Sequence, residues 1–183
     1  MVTGQKLDIA LVEKAVLGVQ AKNGELAFTR RGDLRLNAQG VLETGSNNVV
    51  LSDQGNPITI PPGLDLSITK DGDIFARDPQ QPPETPAVLI ARMMMRDASQ
   101  ITLQRREDTL YTPHIQYRTP NGDFASGPVQ PQIVPGALEA SNVNPVTAMV
   151  KLIDFSRSFE TQIRTIKEAK SLDEAGASML KAR

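Results

Sequence analysis

Gly136-Ala137-Leu138-Glu139-Ala140-Ser141-Asn142-Val143-Asn144-Pro145-Val146 introduces the last part of this chain, and the periodicity that follows it decides the fold. Asn144 is a strong N-cap residue, because its side-chain oxygen can accept from a free N–H of a first helical turn. Pro145 then stands at the first helical position, where a fixed φ suits the helix and a missing N–H costs nothing. A helix is predicted from Pro145, with no strong stop before Gly176. Val146, Met149, Val150 and Ile153 form one apolar stripe along it. Leu152, Phe155, Phe159, Ile163 and Ile166 form a second, rotated from the first and running further. Burying one large apolar side chain is worth about 1.5–3 kcal/mol, so two stripes on one helix call for partners on more than one side. Farther on, Ser171-Leu172-Asp173-Glu174 has the form of a capping box and offers a point where the helix can break and restart.

Upstream the rhythm changes. Leu7, Ile9 and Leu11 alternate with polar or small residues, the period of a half-buried strand. Apolar runs follow at Val16 to Val19, Leu34 to Leu36, Val49 to Leu51, Ile58 to Ile60 and Leu64 to Ile68. Turn signals separate them at Asn23-Gly24, Arg31-Gly32, Gln39-Gly40, Gln54-Gly55-Asn56 and Asp71-Gly72. Short strands punctuated by glycine describe a sandwich or small irregular barrel, not βαβ units. Lys70-Asp71-Gly72-Asp73 is the clearest hairpin, with Asp-Gly expected to supply a type I′ turn. The proline-rich stretch Asp78 to Pro86 is a loop, expected to cross from one sheet to another. Val88 to Met95 is predicted as a further strand, and Asp108 to Pro135 as surface loop with short hairpins. The fold class is therefore mainly β, an irregular sandwich or barrel-like domain of short strands, plus one long C-terminal α-helix. The division is set at a β-rich domain over 1–138 and a helix, of coiled-coil type, over 139–183.

At 183 residues the chain can hold one domain with a proper core and an appendage. Its net charge of −1 gives no field to attract nucleic acid or an acidic membrane. The absence of cysteine excludes a disulfide framework and thiol chemistry. No window approaches the ~20 apolar residues of a spanning helix, so no membrane insertion is expected. The N-terminus has no charged-then-apolar signal peptide.

No residue set reads as a catalytic, cofactor or metal site. His114 is the single histidine, and without a second histidine or any cysteine a zinc site lacks ligands. It also lacks a nucleophile elbow nearby, so a surface or hydrogen-bonded histidine is expected. Met93-Met94-Met95 cannot converge on one ion, since neighbours on a strand point to opposite faces; strand packing is expected. Arg30-Arg31 and Arg105-Arg106 are not interleaved with aromatics and read as exposed charge or inter-subunit ion pairs. No glycine-rich phosphate cradle occurs.

Leu138-Glu139-Ala140-Ser141-Asn142-Val143-Asn144-Pro145-Val146 resembles the C-terminal signature of the bacterial flagellar rod and hook proteins, where it opens a helix of the axial core. Phe28-Thr29-Arg30-Arg31-Gly32-Asp33-Leu34-Arg35-Leu36-Asn37-Ala38-Gln39-Gly40-Val41-Leu42 is similar to a second phrase of that family, from its β-rich part. Pro57 to Pro62 and Leu66 to Gly72 also resemble it. The segment Ser156-Arg157-Ser158-Phe159-Glu160-Thr161-Gln162 is nearer to the proximal-rod members than to the distal-rod members, which are the alternative. Members of the family begin with a helix that pairs with the C-terminal one. Here Gly4 to Leu11 resembles the lead-in to the β-rich part, so that N-terminal helix, and the export information near it, is expected to be absent from this chain.

The resemblance implies a structural subunit of the basal-body rod, serving motility, with no catalytic activity and no cofactor. Its implied partners are other copies of itself, neighbouring rod proteins and the flagellar export apparatus. Its implied place is the periplasm-spanning rod, reached without a cleaved signal peptide. Assembly is expected through Met149, Leu152, Ile153, Phe155, Phe159, Ile163 and Ile166, with Phe155 and Phe159 as anchors and Asn144 and Pro145 setting the helix start. A rival of another class is a module that binds or cleaves cell-wall glycan. It would need two carboxyls, one with a raised pKa, and aromatic platforms, whereas the chain has no Trp and two Tyr.

Overall fold

The structure, a computed structural model, describes residues 1–82, 84–139 and 145–181, with the backbone alone for 145 and 172–181. The chain falls into two compact units, Met1–Ala140 and Ser141–Arg183. Among the described residues, the first is all β apart from one short 3-10 turn at Ile115–Tyr117, and the second is a single helix. This is the mainly β class with one C-terminal helix that the sequence predicts.

The strands of the first unit are β1 (Ile9–Leu11), β2 (Ala15–Gln20), β3 (Leu26–Thr29), β4 (Leu34–Leu36), β5 (Leu42–Thr44), β6 (Val49–Val50), β7 (Asp65–Ile68), β8 (Asp73–Arg77), β9 (Val88–Arg92), β10 (Met95–Asp97), β11 (Leu103–Arg105), β12 (Tyr111–Pro113) and β13 (Ile133–Pro135). An eight-stranded sheet runs in the order β11-β12-β3-β2-β6-β5-β4, with β10 also on β2; its ends do not close into a barrel. A three-stranded sheet, β7-β8-β9, and the pair β1-β13 complete the unit. Every strand pairing is antiparallel.

β2 is the organising strand. Along one edge it pairs with β3, and along the other with β10 and then β6. Strands buried on both faces lose the polar alternation of a half-exposed sheet, and β2 reads Ala-Val-Leu-Gly-Val accordingly. Ala15, Leu17 and Val19 enter the main core with Ile58, Ile60, Ile68, Ile74, Met93 and Met95. Val16 faces a smaller core with Phe28, Leu51, Met94 and Phe124, where the Phe28 and Phe124 rings meet edge-on at 4.8 Å. Met93 and Met95 thus serve one core and Met94 the other, as alternation requires. Gly18 leaves the room that Met94 fills: a Cβ there would lie 2.5 Å from the Met94 sulfur.

One turn recurs through the unit. At Ala21–Glu25, Asn37–Val41, Thr44–Asn48, Ser52–Asn56, Thr69–Asp73, Arg106–Leu110 and Thr119–Asp123, the first N–H donates to the fifth carbonyl and the fourth N–H to the first. This is a type I turn closed by a left-handed residue, the usual three-residue hairpin loop. Glycine fills the left-handed position except at Asn47 and Thr109, with φ of 63° and 67°.

Several expectations are corrected. At Asp71-Gly72 only Gly72 has positive φ, so the hairpin uses the recurrent turn and not type I′. The proline-rich loop after Arg77 joins β8 to its own neighbour β9. The crossing between sheets occurs instead at Met93-Met94, so Val88 to Met95 is not one strand. Ile58 and Ile60 are buried, but their segment forms two isolated bridges, Val41 with Thr59 and Leu51 with Pro57, and no continuous strand, since the flanking prolines cannot donate to a ladder. Arg31 pairs with Asp33, and Arg106 with Glu25 and Asp108. Arg30 is likewise held within the unit, so these three make ion pairs inside it, while Arg31 and Arg105 are also exposed as expected.

Candidate assembly interface

The helix α1 spans Pro145–Lys181, with the predicted proline as its first described residue; Asn144 lies outside the described residues. At 1.5 Å per residue its length is roughly 55 Å. No break occurs at the predicted capping box. The Ser171 hydroxyl donates back to the Glu168 carbonyl at 2.8 Å, a bond made inside a continuing helix, whereas a cap would accept from an N–H ahead of it. Thr161 and Thr165 turn back in the same way to Arg157 and Thr161.

All seven side chains predicted to form the interface are exposed. Phe155 is 71% and Phe159 64% accessible, and Ile163, the least exposed of the set, is 38%. Val146 and Val150 are exposed as well. At ~100° per residue, the stripe Val146, Met149, Val150 and Ile153 centres about 130° from the stripe Leu152, Phe155, Phe159, Ile163 and Ile166. Within the second stripe, Leu152, Phe155, Phe159 and Ile166 follow the three-then-four spacing of a heptad seam, with Gln162 and Ala169 at the intervening places. The geometry is that of an amphipathic helix whose apolar arc is too wide for one partner.

The β unit gathers its two ends beside one another. β1 pairs with β13, Val2 bridges Ala137, and Met1 and Leu138 exchange backbone hydrogen bonds of 2.9 Å. Arg30 reaches Glu139 from the sheet at 2.9 Å. Sequence reasoning missed this contact. The signal available was that each of the two quoted phrases carries one partner, Arg30 in the first and Glu139 in the second.

Elsewhere the surface offers shallow polar relief. One depression, about 580 Å³, is lined by Lys22, Asn23, Ser46, Asn48, Arg106 and Asp108 among others. Among the described residues, every carboxyl with a displaced pKa is displaced downward. The Asn23 amide and Arg106 lower Glu25, Lys6 lowers Asp65, Arg92 lowers Asp73, and the Ser99 hydroxyl lowers Asp97. At Asp33 burial pushes the carboxyl up, but Arg31 outweighs it and the net shift is down. A glycosidase acid needs the opposite displacement. His114 caps the short 3-10 turn, its Nδ1 facing the Gln116 N–H, the hydrogen-bonded role expected of it. Among the described residues, no group of three or more His, Cys, Asp or Glu could hold a metal ion, and no helix is long and apolar enough to cross a membrane.

The chain thus combines a β unit with a long helix whose apolar side chains are exposed, and comparison with known proteins identifies its family. Residues 134–179 match the family described as "Flagellar basal body rod FlgEFG protein C-terminal", and residues 14–76 match "Flagellar hook protein FlgE/F/G D1 domain". The flagellar basal-body rod protein FlgF of Salmonella typhimurium is 34% identical over 90% of this chain and 64% of its own length. FlgF of Escherichia coli K12 is 30% identical over the same shares. FlgF of Caulobacter vibrioides is 30% identical over 97% of this chain and 67% of its own length. The chain belongs to the flagellar rod and hook FlgE/F/G family, and within it is a FlgF-like rod protein. That family is structural, not enzymatic. The chain spans about two thirds, 64%, of the length of the Salmonella and E. coli relatives.

Proposed function

We propose that this chain is a structural subunit of the bacterial flagellar basal-body rod, built into its proximal part, and that it polymerises through α1. One observation carries the mechanism: a 37-residue helix presents two apolar stripes, and every large apolar side chain on them is exposed. Such a helix gains most of its stability from tertiary or quaternary packing. Copies and neighbouring rod subunits cover Phe155, Phe159 and the rest of the second stripe in a coiled-coil-like seam, while Met149 and Ile153 meet a further neighbour. Contacts between unlike patches that do not close generate a helical stack. The β unit of 1–138 lies outside that core and the helical part of 139–183 within it. Travel to the periplasm-spanning rod is by the flagellar export apparatus, without a cleaved signal. Met1 beside Leu138 supports pairing of α1 with a segment entering the β unit at that end.

Amide hydrogen exchange tests this. The chain is measured alone and with a peptide covering the N-terminal helix of a FlgF relative. The expected result is fast exchange from Pro145 to Lys170 in the chain alone, protection with the peptide, and a β unit protected throughout. Strong protection of α1 in a sedimentation-verified monomer would refute the reading. The glycan-module rival is tested by cosedimentation with purified peptidoglycan, where no retention is expected.

A further inference from the structure

Arg30 follows β3, and its guanidinium is held by backbone. Nη1 donates to the carbonyls of Glu13 (2.7 Å) and Ala15 (2.9 Å), and Nη2 to the carbonyl of Leu11 (3.1 Å). Those three carbonyls belong to the tight connection between β1 and β2, in which Glu13 takes a left-handed φ of 49° and the Ala15 N–H closes on the Val12 carbonyl at 3.0 Å. Carbonyls converging from one turn fix the plane of the fork. The Nε edge then has a set direction, and Glu139 Oε2 receives it at 2.9 Å.

A flexible surface ion pair gains little, because two long side chains must both be ordered. Here the arginine is already ordered by its carbonyls, so only Glu139 loses freedom on pairing. Lysine has no planar fork and could not satisfy the three carbonyls and the carboxylate at once. Glu139 directly follows Leu138, whose N–H and carbonyl are engaged by Met1. Among the described residues Arg30 is the one side chain paired with Glu139, which is half exposed.

We propose that Arg30 is a positioning residue: it pins Glu139 and so fixes the point at which the chain leaves the β unit on its way to α1. The inference rests on the assembly reading and deepens it. A subunit whose helix joins a close-packed tube must present that helix from a defined place. Among the described residues, the Arg30–Glu139 pair supplies the last side-chain anchor before it.

The test varies Glu139, which leaves the carbonyl cradle of Arg30 intact. Glu139→Gln keeps an acceptor for Nε, Glu139→Ala removes it, and Glu139→Arg opposes it with like charge. Phe159→Asp is the control for assembly. Three readouts are compared: melting of the β unit and amide exchange at Ala137 and Leu138 in the whole chain, and swimming of a strain in which this chain replaces the matching segment of its own FlgF-type rod protein. Glu139→Ala and Glu139→Arg are expected to leave melting unchanged, to speed exchange at these two amides by up to about fivefold, and to impair swimming. Glu139→Gln is expected to retain swimming. If both disruptive variants swim like the parent while Phe159→Asp does not, the positioning role is wrong and the assembly reading stands. If Phe159→Asp also swims normally, the assembly reading falls and takes this inference with it. A lowered melting temperature in Glu139→Ala would likewise overturn the proposal, because the pair would then serve the fold itself.

Discussion

Phe159→Ala separates an assembly residue from a core residue by the sign of its effects. Phe159 is 64% exposed, so roughly two thirds of its surface remains to be buried by a partner. Full burial of such a side chain is worth ~1.5–3 kcal/mol, leaving ~1–2 kcal/mol for the contact in the assembly. Removing it should weaken association about 5- to 30-fold. In the isolated chain the effect runs the other way. Alanine is the better helix former by about 0.5 kcal/mol, so helicity of the free chain should hold or rise slightly. The β unit should melt at an unchanged temperature, since its cores contain no residue of α1. Circular dichroism and thermal melting of the monomer, with sedimentation of the assembled form, measure the three quantities. A β unit destabilised by more than about 1 kcal/mol would refute the reasoning, because that is the signature of a core substitution. Equal association of variant and parent would refute it from the other side.

The β unit yields further expectations. Gly32→Ala would place a Cβ 1.9 Å from the Ile9 carbonyl oxygen and 2.7 Å from its side chain, forcing β1 away; a loss of about 3 kcal/mol or more is expected in denaturant unfolding. Thr109→Gly relieves a β-branched residue at φ 67° and should raise stability by about 0.5–1 kcal/mol, net of the greater freedom of glycine in the unfolded chain. Asp97 is buried, and its pKa is lowered by the Ser99 hydroxyl and by the Ser99 and Val129 N–H groups. A carboxyl depressed on folding stabilises above its unfolded pKa of about 3.9 and loses that contribution as pH falls through the folded value. The melting temperature should therefore drop steadily below pH 4. Asp97→Asn should melt lower at neutral pH and show a shallower acid limb.

Much of this architecture is legible in the sequence because burial imposes a period. Strands β1, β2, β4 and β7 fall where apolar residues alternate or run together, and the two stripes of α1 lie at helical spacing over many turns. The failures are equally physical. Ile58 to Ile60 reads as a strand because it is an apolar run, but local pattern does not weigh three nearby prolines against a ladder. The proline-rich loop is recognisable as a loop, while its destination depends on pairing between β8 and β9 that composition does not encode. Ser171 looks like a cap because the same hydroxyl can accept from an N–H ahead or donate to a carbonyl behind, and helix continuity chooses the second. Arg30 is the deepest omission. Its partners are mainly backbone carbonyls from a turn fifteen or more residues away, and carbonyls have no letter in a sequence.

The two units divide the work of stability in a way that fits a subunit which must exist before it assembles. The β unit closes on itself: its strands bury two cores that meet across β2, and its recurrent turns satisfy their own backbone groups. Nothing in that account needs a neighbour. The helix has the opposite character. Isolated helices are marginal because each ordered residue gives up about 1–2 kcal/mol of backbone entropy, and the offset from packing is absent while Phe155, Phe159 and Ile166 face solvent. If the apolar residues of α1 were spent on the β unit, the chain would be a closed monomer with no driving force to polymerise. If the β unit also depended on neighbours, the free subunit would be unfolded. A self-sufficient sheet unit joined to an uncommitted helix avoids both outcomes, and under the proposed assembly it places much of the driving force in α1, whose apolar stripes are exposed.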